Sequence, residues 1–254
     1  MVSAMSTFSD HFSSSASSYA AHRPTYPAEL LEWLSSSCAN HRRAWDCGTG
    51  NGQAAVHLAH HFADVIATDA SPAQLGHRGR KSGVHYGVMT AESSAIASGS
   101  VDLITVAQAL HWFDLDRFYR EAKRVLVPGG IICVWTYGLL SIDPAIDAHL
   151  GQFYRKEVGP YWPAERALVD RGYAGIDFPF DELVAPRFEM TADWTLGQFS
   201  GYLETWSAVA AYSREHGRSP VPRFAESIAP QWGESEERRH VRWPLELKAG
   251  RVAG

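Results

Sequence analysis

The sequence predicts an α/β protein with a doubly wound, mostly parallel sheet. From Ala44 onward, short apolar runs alternate with turn signals and helical stretches, which is the pattern of strands joined by crossover helices. Such crossovers are almost always right-handed, so the helices cover both faces of the sheet. The strands of this region are predicted at residues 43–47, 64–69, 84–88, 101–107 and 131–136. The helices between them are predicted at residues 52–61, 72–80 and 115–125.

The segments on either side of this region differ from it. Residues 1–26 are rich in serine and predict a tail or lid, and a first amphipathic helix follows at 28–36. We expect a single domain over 27–254, with a ligand-binding core at 27–137 and a substrate-side cover with the last strands at 138–254. Within the cover, helices are predicted at 143–157, 195–214 and 221–230, and strands at 180–190 and 239–247.

Composition limits the classes of function. Of the 254 residues, 45% are hydrophobic, which is enough for a large core, and the net charge of −5 gives no reason to seek nucleic acid or anionic membranes. No apolar run reaches the roughly 20 residues that span a bilayer. The three cysteines have no ligand-like spacing. We therefore expect a soluble, cytoplasmic monomer or homodimer that binds no metal and acts on a small molecule.

The strongest motif is WDCGTGNGQ, which follows the first strand. Its glycines, Gly48, Gly50 and Gly52, allow a ligand to lie against the backbone, and Asp46 precedes them. Asp69 ends the second strand, where a carboxylate can accept hydrogen bonds from both ribose hydroxyls of an adenosine. The simpler role for Asp69 is that of an N-cap or turn residue before the next helix, although Ser71 could cap that helix itself.

With this loop and Asp69, the chain resembles the class I S-adenosylmethionine-dependent methyltransferases, in particular the type 11 group, from about Tyr19 to Gly130. The resemblance implies a Rossmann-like, seven-stranded sheet with an antiparallel last strand and a helical cover. It also implies that S-adenosylmethionine is the cofactor, that the glycines and Asp69 bind it, and that Ala91 and Glu92 lie near the adenine. Glu92 could equally be a solvated loop acid or a helix cap.

The segment VDLITVAQALHWFD resembles the fourth strand and following loop of family members similar to trans-aconitate methyltransferase. The resemblance implies that Gln108, Ala109, His111 and Trp112 lie beside the sulfonium and the acceptor. A tryptophan face attracts a cation, although Trp112 could instead pack in the core. His111 could act as a general base or be a structural loop residue.

The N-terminal YAAHRPTYP also resembles the lead-in of this group. Arg23 is expected to pair with the carboxylate of the cofactor, while Tyr19 or Tyr26 shields the site from water. An exposed arginine next to a proline is the alternative for Arg23.

The expected activity is methyl transfer by in-line displacement to a small acceptor, at a carboxylate or a hydroxyl oxygen. A carboxylate needs no base, whereas a hydroxyl would use His111. His57, His60 and His61 have a spacing that could hold a metal, but a solvent-facing helix explains them better. The alternatives are a non-catalytic cofactor-binding scaffold and, less in keeping with the loop, an NAD-dependent oxidoreductase.

Overall fold

A single sheet organises the chain in the computed structural model, which describes residues 24–76, 78–234 and 236–253. Its strands are Arg43–Cys47 (β1), Asp64–Asp69 (β2), Val84–Val88 (β3), Val101–Ala107 (β4), Leu126–Thr136 (β5), Asp181–Glu182 (β6), Phe188–Trp194 (β7) and Arg239–Arg251 (β8). The strand order is β3-β2-β1-β4-β5-β8-β6, and β7 pairs with β8 outside this path. Strands β1 to β5 are parallel, while β8 runs antiparallel to β5. The expected Rossmann-like sheet with an antiparallel last strand is confirmed.

Helices surround this sheet. They are Ala28–Ser37 (α1), Gln53–Leu58 (α2), Pro72–Gly76 (α3), Leu115–Val125 (α4), Pro144–Gln152 (α5), Arg166–Asp170 (α6), Leu196–Glu204 (α7), Ser207–His216 (α8) and Val221–Trp232 (α9). Side-chain caps fix several starts: Asp114 accepts from the Arg117 amide at α4, and Thr195 forms a capping box with Gln198 at α7. Among the residues described, no helix is long and apolar enough to cross a membrane.

The strands carry two hydrophobic clusters because successive side chains point to opposite faces of a sheet. Ala44 and Trp135 belong to the cluster that includes α1 and the cover helices, while their neighbours Trp45 and Val134 belong to the cluster that includes α4. Both faces of the central strands are therefore buried, as expected for a doubly wound sheet.

The structure agrees with four predicted strands to the residue and corrects several other elements. β5 begins at Leu126, because the VPGG segment stays extended with a register shift instead of only turning the chain. The predicted strand at 180–190 is two strands, β6 and β7, separated by a stretch that contains Pro186. The predicted helix at 195–214 is two helices, since Trp206 adopts an extended conformation between α7 and α8.

Helix lengths were also overestimated. α2 and α3 end at Leu58 and Gly76, and regular α-helix in the 143–157 segment ends at Gln152, where a π-helical turn, Phe153–Glu157, follows.

Candidate active site

The glycine-rich loop joins β1 to α2 at the carboxyl edge of the sheet. Gly48, Gly50 and Gly52 all adopt positive φ angles, at 69°, 56° and 83°, which non-glycine side chains rarely adopt. The Thr49 amide donates to the Thr68 carbonyl at 2.9 Å and holds the loop against the end of β2. The spacing of the three glycines is thus required by the path of the backbone.

Two of these glycines are also needed for close packing. A Cβ at Gly48 would come within 2.5 Å of Ala109 Cβ, and a Cβ at Gly52 would collide with the Tyr86 hydroxyl. By contrast, a Cβ at Gly50 would find no atom nearer than Gln74 Oε1, at 3.9 Å. The open side of the loop is therefore at Gly50.

Asp46 lies beneath the loop and is 1% exposed. One carboxylate oxygen accepts from the Thr49 hydroxyl and the other from the Thr105 hydroxyl, at 2.8 Å in the second case. Burial raises the pKa of Asp46 to about 6, although both threonine bonds lower it. The carboxylate of Asp46 thus ties the loop to β4.

Asp69 lies at the end of β2 and is half-buried. Its two carboxylate oxygens accept from the backbone amides of Gly50 and Ser71, each at 2.9 Å. These bonds fix the direction of the carboxylate beside the open side of the glycine loop. The structure therefore brings Asp69 and the loop together, as the sequence predicts.

Ala91 and Glu92 follow β3, and Ala91 is buried. Glu92 Oε1 accepts from the Asp114 amide at 3.0 Å, just before α4 begins. Glu92 therefore contacts the backbone at the start of α4, as its alternative role of helix cap predicts, and it lies at the same edge of the sheet as Asp69.

Gln108 begins the loop after β4 and has a positive φ of 54°, which is unusual for a residue with a side chain. Its amide group accepts from the Thr136 hydroxyl at 2.6 Å and donates to the Tyr137 carbonyl at 2.9 Å. These two bonds connect the ends of β4 and β5 and direct the following Ala109 onto Gly48.

His111 and Trp112 belong to a 3-10 turn, Leu110–Trp112. His111 Nδ1 lies 2.9 Å from the hydroxyl of Tyr173, a fully buried residue with a φ of 60°. The Trp112 ring lies 4.8 Å from the imidazole, centroid to centroid. Burial, with a smaller effect of the Arg166 guanidinium, lowers the pKa of His111 to about 4. The imidazole is thus neutral near pH 7.

The cover contributes an aromatic cluster to this edge of the sheet. Trp162 lies 5.2 Å from Tyr154 and 5.6 Å from Trp206, between ring centroids. The guanidinium of Arg166, the first residue of α6, lies 4.7 Å from the Trp162 ring centroid. The guanidinium of Arg166, paired with the carboxylate of Asp170, therefore lies beside these aromatic rings.

Several expectations fall elsewhere. Tyr19 and Arg23 lie outside the residues described. Tyr26 is buried and packs edge-on against Trp135 at 5.3 Å between centroids, in the core beneath the sheet edge. His57 lies on α2, and in the described part of the chain no three histidine, cysteine or acidic residues come together as a metal site would require.

Sequence reasoning missed the residues that the tertiary structure brings to His111. Tyr173 lies in an RGYAG segment after α6, Thr136 ends β5, and Arg166 begins α6. The one local signal was the pair Gly172–Tyr173, since a glycine before an aromatic residue marks a sharp turn. No sequence pattern linked that turn to β4.

The loops after β1 and β4 lie where the strand order reverses, and open α/β sheets bind ligands in the crevice at that point. The open backbone at Gly50 and the oriented carboxylate of Asp69 fit the methionine and ribose portions of an adenosyl ligand. The donor set at this edge therefore fits the cofactor that the sequence implies.

Comparison with known proteins agrees with this fit. A family described as a methyltransferase domain matches residues 45–134. A Dictyostelium discoideum protein named as a methyltransferase is 36% identical over 225 residues, which cover 87% of this chain and 86% of that protein. A Saccharomyces cerevisiae protein named as a probable S-adenosylmethionine-dependent methyltransferase is 22% identical over an alignment that covers 78% of this chain and 80% of that protein.

A solved structure from Anaeromyxobacter dehalogenans, described as a type II methyltransferase, is 42% identical. It superposes with a TM-score of 0.85 over 91% of this chain and 98% of its own. The sheet order, the glycine loop and these relatives lead to one conclusion. The chain belongs to the class I S-adenosylmethionine-dependent methyltransferases, the enzymes that use S-adenosylmethionine as cofactor.

Proposed function

We propose that this methyltransferase acts on a small-molecule acceptor, at a carboxylate or hydroxyl oxygen, in the crevice between the glycine loop and the turn that carries His111. The observation that carries the proposal is the placement of His111 and Trp112 directly after Ala109, which packs on Gly48. The acceptor side and the cofactor side of the crevice thus meet within a few residues.

The cofactor-binding residues are part of the proposal. In the loop of Gly48, Gly50 and Gly52, the methionine portion would lie against the open backbone at Gly50, and Asp69 would accept from the ribose hydroxyls. The other proposed contacts with the cofactor come from Ala91, Glu92, Gln108, Ala109 and Trp112. Asp46 would act through the loop that it anchors, because its oxygens are bonded to Thr49 and Thr105. Tyr19 and Arg23 remain predictions from the sequence.

The cofactor supplies an activated methyl group, so the residues of the chain have to align the acceptor, exclude water and manage any proton. For a carboxylate acceptor, an oxygen lone pair forms the new O–C bond as the S–C bond breaks, and no proton is released. The neutral His111, held by Tyr173, would then orient the acceptor. A hydroxyl acceptor would have to transfer its proton to the imidazole.

The electrostatics at His111 favour the carboxylate. An imidazole with a pKa of about 4 is a weak base at neutral pH, so it would accelerate loss of a hydroxyl proton little. An acceptor that is already ionised avoids this step. Three partly exposed residues with aromatic or basic side chains near His111, Trp112, Trp162 and Arg166, suit a small acid with an apolar body.

Two experiments test the proposal. Titration calorimetry with S-adenosylmethionine, S-adenosylhomocysteine and NAD should show binding of the two sulfur compounds and none of NAD. An acceptor screen that measures S-adenosylhomocysteine formation should then compare carboxylic acids, phenols and amines with wild-type protein and His111→Asn. Turnover confined to amines would contradict O-methylation, and loss of phenol activity alone in the variant would identify His111 as a base.

A further inference from the structure

We propose that Arg166 forms a recognition site for an acidic group of the acceptor, held by the terminal nitrogens of its guanidinium at the entrance to the crevice. This inference rests on the proposed function and deepens it, because it assigns a charge to the acceptor and a residue to its recognition. None of the sequence motifs included Arg166.

The first step is the geometry of the arginine. Its Nε donates to the Tyr154 hydroxyl at 2.6 Å and to Asp170 Oδ1 at 3.1 Å, and the guanidinium lies over the Trp162 ring. The side chain is only 20% exposed. Nε and one face of the group are thus engaged, and the direction of the remaining edge is fixed.

The second step concerns that edge. The Nη nitrogens of Arg166 donate no hydrogen bond to any residue in the described ranges, and they are not among the buried unpaired atoms, so solvent reaches them. Two parallel N–H donors on a fixed plane match the two oxygens of a carboxylate. The free edge therefore suits a planar, anionic ligand better than a neutral one.

The third step is the position of this edge. Residues of α6 pack against the 3-10 turn Leu110–Trp112, and the charge of Arg166 contributes to the lowered pKa of His111. The positive charge of Arg166 also acts to lower the pKa of Tyr173, whose hydroxyl is the hydrogen-bond partner of that histidine. The guanidinium thus lies at the start of a helix that packs against the turn carrying His111, on the proposed acceptor side.

Asp170 does not cancel this charge. Its carboxylate is 42% exposed, so water screens it, and it contacts Nε and not the terminal nitrogens. Together with the Tyr154 hydroxyl, this carboxylate fixes the orientation of the Arg166 side chain.

The test uses simple probes, because the acceptor itself is unidentified. Benzoate and benzamide share a ring and differ in charge, and acetate and acetamide form a smaller pair. Their binding to the full chain saturated with S-adenosylhomocysteine is measured by calorimetry at constant ionic strength. We expect the better carboxylate to bind about tenfold or more tighter than its amide.

Variants assign the effect to the arginine. Arg166→Met should abolish the preference for the carboxylate, and Arg166→Lys, which keeps the charge without the planar fork, should retain part of it. Arg171→Met is the matched control, since Arg171 is exposed and donates from Nε to the Ala167 carbonyl within the same region. Thermal unfolding of each variant checks that it folds.

The inference would be overturned by equal binding of acid and amide, by no carboxylate binding at tens of millimolar, or by unchanged carboxylate binding in both Arg166 variants. It would also be overturned if Arg166→Met lost as much affinity for S-adenosylhomocysteine as for the carboxylate, since the guanidinium would then bind the cofactor carboxylate. Equally efficient methylation of neutral phenols and of acids by wild type would contradict the inference while leaving the proposed O-methyl transfer intact.

Discussion

The Tyr173 hydroxyl lies 2.9 Å from His111 Nδ1 and joins a turn of the cover to the turn after β4. Tyr173 reaches this position with a positive φ, which costs a residue with a Cβ of the order of 1 kcal/mol or more. The contact is therefore maintained at some expense to backbone stability.

Replacing this tyrosine tests what the contact contributes. Tyr173→Phe keeps the ring and removes the hydroxyl, so His111 Nδ1 loses its partner, and we expect a loss of about 1 kcal/mol in the free energy of unfolding. Denaturant unfolding measures it. Tyr161→Phe is the control, because its hydroxyl contacts Glu215 at the surface, and it should change stability by less than about 0.5 kcal/mol. Equal losses of unfolding free energy in Tyr173→Phe and Tyr161→Phe would show that the bond to His111 contributes no more to stability than a surface contact.

The pH dependence of stability should reveal the buried histidine. In the unfolded chain His111 binds a proton near its ordinary pKa of 6.5, whereas in the folded protein its pKa is about 4. Its contribution is thus fully present above pH 6.5 and is lost as the pH falls towards 4. Between pH 7 and pH 5, wild type should lose roughly 1–2 kcal/mol more unfolding free energy than His111→Asn.

Asp46 acts in the opposite direction, since its folded pKa is raised to about 6 and its unfavourable contribution disappears as the pH falls. It is present in both proteins, so the difference between them isolates His111. Parallel pH profiles of the two proteins would mean that the imidazole is solvated.

Asp69 should carry a large part of cofactor affinity. Asp69→Ala removes the carboxylate at the end of β2 and should weaken S-adenosylhomocysteine binding by about 1–3 kcal/mol, as measured by calorimetry. Asp64→Ala is the matched control, because Asp64 begins the same strand and pairs with Arg43 at 2.6 Å. Unchanged affinity in Asp69→Ala would remove this residue from the site.

Two glycine variants distinguish the effect of backbone strain from the effect of a steric clash. Gly48→Ala and Gly99→Ala each place a Cβ at a positive φ, but only the first meets a neighbour, Ala109, while Gly99 has open space. We expect Gly99→Ala to lose about 1 kcal/mol of stability through backbone strain, and Gly48→Ala to lose roughly 1–3 kcal/mol more because its Cβ also overlaps Ala109. Only Gly48→Ala should weaken S-adenosylhomocysteine binding, by about tenfold or more, since the loops after β1 and β4 must separate. Unchanged S-adenosylhomocysteine binding in Gly48→Ala would show that the loop can accommodate the extra Cβ without affecting the site.

The sequence was a good guide to the parts of the fold that local pattern determines. The strands β1 to β4 are short, mostly apolar segments between turn signals, so their limits could be predicted to the residue. The break between α7 and α8 could not be predicted, because Leu196, Tyr202 and Trp206 continue a helical spacing. Packing of Trp206 against Tyr154 and Trp162 determines the break, and that packing has no local signal.

The candidate site likewise contains residues that the local pattern predicts and residues that only tertiary packing brings together. The glycine loop and Asp69 come together because parallel strands end at a common edge, which follows from the strand pattern alone. Arg166 and Tyr173 reach His111 through the packing of α6 against the loop after β4, which depends on the tertiary arrangement of the cover. Sequence reasoning therefore predicted the glycine loop, Asp69 and His111, whose proposed roles remain predictions, and it missed Arg166 and Tyr173.

The pairing of Thr136 with Glu246 has an evolutionary consequence. The chain leaves the sheet after Thr136, builds most of the cover with one short return at β6, and pairs with β5 again through β8, directly beside its point of departure. A segment whose two ends are neighbours can be lengthened, shortened or exchanged without moving the strands that flank it. Related enzymes could thus differ in the segment between Thr136 and Glu246 while β1 to β5 and the glycine loop keep their arrangement.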